Sequence, residues 1–128
     1  MIRAVFDTNV IVAGFLSPHG PPGQIMDWLR QGAVTAVLDD RIVHEYAEVL
    51  ARPVFGLPQA DVALVLDVIK EQAEWADISV SSRITGLPDP DDGPFVECAH
   101  AAGVPLVTGN IRHFPKRLCG GVEVLTPA

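Results

Sequence analysis

Apolar residues in this chain fall into short, β-branched runs separated by longer stretches in which they recur every three or four positions. The runs at 2–6, 34–38, 104–108 and 122–125 predict strands, and a further short strand is expected at about Ile78. Helical spacing predicts helices over 8–16, 22–31, about 40–52, 58–75 and 94–102. The second has a proline suited to a first turn and Gly32 as its stop, and Asp39 or Asp40 can cap the third. Along 58–75, Val62, Val65, Leu66, Ile69 and Ala73 form one stripe, which marks a packing helix. The segment 79–90 reads as a connector. Strands alternating with helices in this way predict an α/β fold with a mostly parallel sheet.

In an open parallel sheet, ligands collect outside the carboxyl ends of the strands. The first strand ends at Phe6, so Asp7 stands at that edge, followed by Thr8 and Asn9, whose hydroxyl and amide can support it. Glu45 lies early in the third helix, Asp92 sits in the acidic run Asp89-Pro90-Asp91-Asp92 that opens the last helix, and Asn110 follows the strand ending at Thr108. Each also has a plain structural reading: a helix cap for Asp7, a solvated glutamate or an Arg41 partner for Glu45, a capping turn for the acidic run, and a turn residue for Asn110. Taken together they suggest an acidic cluster that holds a divalent cation. Arg112, His113, Lys116 and Arg117 make the densest basic stretch and are placed to grip phosphates.

Composition modifies this picture at three points. The length of 128 residues suits one domain, and 48% hydrophobic residues leave apolar surface for a partner or a second copy to cover. A net charge of −7 counts against a general nucleic-acid binder, unless cations cancel the charge of converging acids. Cys98 and Cys119 form no Cys-x-x-Cys pair, and the amino terminus has no signal-like pattern, which together predict a cytoplasmic protein without a disulfide framework. His44 and Glu48 are four apart on one helix, but a His-Glu-x-x-His pair and nucleotide-binding glycine motifs are absent, which argues against zinc and nucleotide cofactors.

Four segments, in order, resemble the PIN domain, specifically the small bacterial PIN proteins related to VapC toxins. They are Val5-Phe6-Asp7-Thr8-Asn9-Val10, the run from Glu45 to Pro53, Asp89-Pro90-Asp91-Asp92 leading to Phe95-Val96-Glu97-Cys98-Ala99, and Val107-Thr108-Gly109-Asn110 before His113-Phe114-Pro115. The resemblance implies a three-layer α/β/α fold and a Mg²⁺- or Mn²⁺-dependent endoribonuclease, with Asp7, Glu45 and Asp92 at the three acidic metal-site positions. The fourth position, often Asp in the family, is Asn110, and Gly93 stands where relatives often place another acid. Both departures bear on how many ions bind. On this reading Asp7 and Asp92 hold the cation and Glu45 binds it or orients the attacking water, with Thr8, Asn9 and Thr108 behind them. The products carry 5′ phosphates. Asp7→Asn is expected to abolish cleavage and leave the fold intact.

Two rivals differ in class. A haloacid-dehalogenase-like phosphatase also begins with Asp after its first strand, but it needs an acid two residues later, where this chain has Asn9. A PIN-like module with impaired catalysis, binding RNA or protein, is favoured if Asn110 and Gly93 loosen the metal. The resemblance to toxins further implies an antitoxin that covers the acidic crevice with a basic segment, and the apolar composition implies a homodimer.

Overall fold

A computed structural model describes residues 2–77 and 84–128. Its five strands are β1 (Ile2–Phe6), β2 (Val34–Leu38), β3 (Glu74–Trp75), β4 (Leu106–Val107) and β5 (Val124–Leu125). The helices are α1 (Thr8–Leu16), α2 (Pro21–Gln31), α3 (Asp40–Leu50), α4 (Gln59–Gln72) and α5 (Gly93–Ala102). All neighbouring strands pair in parallel in the order β3-β2-β1-β4-β5, with Ile2 opposite Val34 and Val5 opposite Leu106. Successive residues of β1 point to opposite faces, yet Ala4, Val5 and Phe6 are all buried. Both faces of the sheet are therefore covered, as parallel sheets require. α2 and α4 pack on β2, and α5 packs across β1, β2 and β4.

Local chemistry sets the element ends. The Asp39 side chain accepts hydrogen bonds from the Arg41 and Ile42 amides, capping α3. Gly32 ends α2 at φ 77°, a left-handed conformation that glycine adopts without strain. At Gly23 a β-carbon would lie 2.1 Å from the Pro18 carbonyl oxygen, so the close turn from α1 into α2 requires glycine.

The chain departs from its apolar pattern in the expected 58–75 helix and at the last two strands. The helix stops at Gln72; Ala73 is extended, and Glu74 and Trp75 instead pair with Val37 and Leu38 as β3. The Arg3 guanidinium reaches across the sheet to the Glu74 carboxylate, with Nε 2.7 Å from Oε1, and the Ala76 amide continues the ladder to the Leu38 carbonyl. Pairing with a free strand edge outweighs helical propensity here. β4 keeps only Leu106 and Val107 of the run at 104–108, and β5 only the last two residues of the run at 122–125. The strand expected at about Ile78 and residues 79–83 of the expected connector lie outside the described residues. Among the described residues no helix is long and apolar enough to cross a membrane.

Candidate metal centre

The strand order places the topological switch point between β1 and β4, because the chain builds outward from β1 through β2 to β3 and then returns to the other side of β1. Asp7 leaves the end of β1 and Thr108 leaves the end of β4. The buried Thr108 hydroxyl donates to Asp7 Oδ2 at 2.8 Å and accepts from the Asn110 amide at 3.0 Å. The Gly109 amide donates to Asn9 Oδ1 at 3.1 Å. Two loops 100 residues apart in sequence are thereby stitched together, with Asp7 aimed between them.

α3 brings the second acid. The Thr8 hydroxyl donates to Glu45 Oε2, and the hydroxyl of the neighbouring Tyr46, fully buried, donates to the Phe6 carbonyl at the end of β1. Arg41 is engaged elsewhere, 3.1 Å from Asp39 and 2.7 Å from Glu97, so the surface pairing of Glu45 with Arg41 is not the arrangement found. His44 and Glu48 make an exposed contact of 3.7 Å and belong to no group of three metal donors among the described residues.

The acidic run supplies the third. Asp89 Oδ1 accepts the Asp91 amide and caps a 3₁₀ turn, Pro90–Asp92, that leads directly into α5. Asp92 is 9% exposed, and its buried Oδ2 has no hydrogen-bond partner among the described residues. Its near neighbour is His113 Nδ1 at 3.3 Å, and the ring's Nε2 lies 3.1 Å from the Asn110 side-chain nitrogen. Donor atoms of Asp89, Asp92 and His113 all fall within 4.8 Å of one another.

Asp7, Glu45, Asp89, Asp92, Asn110 and His113 line one cleft of about 590 Å³, together with the apolar side chains of Val12, Leu16, Val49 and Phe55. Thr8 and Asn9 line it too, as does Arg52, whereas Arg112, Lys116 and Arg117 are exposed on the 3₁₀ turns beyond β4 and are not among its lining residues. Sequence reasoning overlooked His113, Asp89 and Arg52 as contributors to this cleft. The signal for His113 was its place three residues after Asn110, one 3₁₀ turn away, and it is invisible to a search for paired-histidine spacing.

Burial raises the Asp7 carboxyl above its ordinary value, against the opposing hydrogen bond from Thr108. Burial raises Glu45 likewise. Asp92 is pushed up to about 7, first by burial and then by the charges of Asp7 and Asp89. Crowded carboxylates that resist ionisation, one with an unpartnered buried oxygen, are an environment that a hard divalent cation relieves, so the donor set fits such an ion.

Fold and site together define a parallel α/β protein with an acidic crevice at its switch point, suited to a divalent cation. The chain belongs to the PIN domain family, whose sequence pattern matches residues 3–112. Members of that family are typically metal-dependent nucleases. The chain is also similar to Uncharacterized protein MJ1680 of Methanocaldococcus jannaschii, at 22% identity over 113 residues, covering 85% of this chain and 71% of that protein.

Proposed function

We propose that this protein is a divalent-cation-dependent endoribonuclease that hydrolyses RNA phosphodiester bonds and leaves 5′ phosphates, acting as the toxin of a toxin–antitoxin pair in the cytoplasm. The observation that carries the nuclease reading is the buried, unpartnered Asp92 Oδ2 in a crevice shared with Asp7 and Glu45. Those three acids and Asp89, with Asn110 beside them, would hold Mg²⁺ or Mn²⁺. When bound, the ion supplies Lewis-acid polarisation of the phosphate and acidifies water. Glu45, raised by burial and steadied by Thr8, is suited to accept the proton of the attacking water. Arg52 stands at the cleft to face the substrate phosphate, and Arg112, Lys116 and Arg117 would contact phosphates further along the strand. Thr108 and Asn9 keep the two loops, and hence Asp7, in register.

The toxin role rests on the resemblance to VapC proteins. It implies an antitoxin whose basic segment fills the acidic cleft, and the exposed Trp28, Leu64 and Trp75 support association with a second copy of the chain. Asn110, in place of a fourth acid, favours a second reading as a PIN-like module that binds RNA or protein without cutting. Cleavage of a diverse single-stranded RNA pool with Mn²⁺, Mg²⁺ or EDTA, comparing the native protein with Asp7→Asn and mapping new ends, tests both. Metal-dependent cuts with 5′ phosphates that vanish in the variant are expected; metal binding without cuts would favour the module.

A further inference from the structure

We infer that His113 is a direct ligand of the bound cation and that Asn110 holds its ring for this role, making the centre a mixed carboxylate–imidazole site that favours Mn²⁺ over Mg²⁺. The inference rests on the reading that a divalent cation binds in this crevice. Its first support is geometric. The three donors of Asp89, Asp92 and His113 lie within 4.8 Å of one another, a spread that small side-chain rotations bring onto a single ion with bonds of about 2 Å.

The second support is the orphaned oxygen. His113 Nδ1 sits 3.3 Å from Asp92 Oδ2, yet that buried oxygen accepts no hydrogen bond from it. A cation shared by the two atoms gives each an electron-pair acceptor and removes the mismatch.

The third support is the partner on the far side of the ring. His113 Nε2 lies 3.1 Å from the Asn110 amide. An amide presents either its oxygen or its nitrogen over the same distance, and with Oδ1 accepting from Nε2–H the lone pair of Nδ1 faces the acids. Histidine ligands characteristically donate their second N–H to such an oxygen, which fixes ring and tautomer. The Asn110 backbone N–H donates to the Thr108 hydroxyl, which in turn donates to Asp7, so the residue that carries this side chain is fixed beside the acids. Asn110 then compensates for the missing fourth carboxylate indirectly, by positioning a neutral ligand beside four acids. A nitrogen donor suits a first-row transition cation better than Mg²⁺, which prefers oxygen.

The test is pulsed electron paramagnetic resonance of Mn²⁺ bound to the native protein at one equivalent, with and without ¹⁵N-labelled histidine, alongside Mn²⁺ and Mg²⁺ titrations. A directly coordinated nitrogen whose signal changes on labelling is expected, lost in His113→Ala and His113→Gln but kept in His44→Ala. Mn²⁺ should bind at least about tenfold more tightly than Mg²⁺, with that ratio collapsing in the His113 variants, and Asn110→Ala should weaken Mn²⁺ by about tenfold while keeping the nitrogen signal. Tight Mn²⁺ binding with no nitrogen coupling would overturn this inference and leave the nuclease reading standing. No Mn²⁺ binding at all would overturn both.

Discussion

Asp92 carries the largest consequence at the scale of a single residue. Its folded-state pKa of about 7 lies above its ordinary 3.8, so between those values the folded protein retains a proton that the unfolded chain has released. More protons bound by the native state means that stability falls as pH rises. In EDTA, the Asp92 contribution is therefore fully present below about pH 4 and is lost as pH rises through about 7. Thermal unfolding of the metal-free protein and Asp92→Asn across that range should show the variant gaining on the native chain toward higher pH, because an amide has no charge to bury. Equal pH dependence in the two proteins would mean that the native carboxyl is ordinary. Asp7→Asn is expected to behave in the same sense with less amplitude, since Thr108 already donates to its carboxylate, while cleavage falls by at least about a hundredfold. The circular dichroism of Asp7→Asn should remain native, which separates lost chemistry from lost fold.

Secondary elements matter here chiefly by how they hold the acids. α3 is fixed over β1 by the Tyr46 hydroxyl on the Phe6 carbonyl, one residue before Asp7 and one after Glu45. Tyr46→Phe should cost about 1–2 kcal/mol in urea unfolding by removing a buried hydrogen bond, and should lower cleavage more than Mn²⁺ affinity by loosening the two acids against each other. The α1–α2 corner is tighter still: Gly23→Ala drives a methyl group into the Pro18 carbonyl and should cost more than about 2 kcal/mol on the same measurement. The limits of β1, β2 and α1 were legible in the sequence because Phe6, Leu38 and Leu16 each end a run whose periodicity then changes. β3 was not, since Glu74 and Trp75 directly follow a helical pattern with no breaker between and become strand only because the edge of β2 and the Arg3 guanidinium await them. At the site, Asp7 and Asp92 could be proposed from their positions at element ends, and Glu45, inside α3, only from the wider constellation and the resemblance. The contact between Asp92 and His113 depends on the fold of two turns that no local pattern encodes.

At the scale of the whole molecule, the crevice gathers four separate parts of the chain: the β1 exit, α3, the turn into α5 and the β4 exit. A cation held by residues from several of these segments acts as a cross-link between them and binds the folded state alone, since the unfolded chain scatters its ligands. Such binding stabilises by RT ln(1 + [L]/Kd), about 2.7 kcal/mol at one hundred times Kd. Mn²⁺ should therefore raise the unfolding temperature by several degrees, and the increment should grow from pH 5 to pH 8. That growth follows from the sign worked out for Asp92: at pH 5 the ion must displace protons from crowded carboxyls, whereas at pH 8 it relieves repulsion between ionised ones. Calorimetric scans of the native protein and Asp7→Asn, each with Mn²⁺ or EDTA at both pH values, check it. An increment that is the same at both pH values, or undiminished in Asp7→Asn, would place the stabilising ion somewhere other than this crevice.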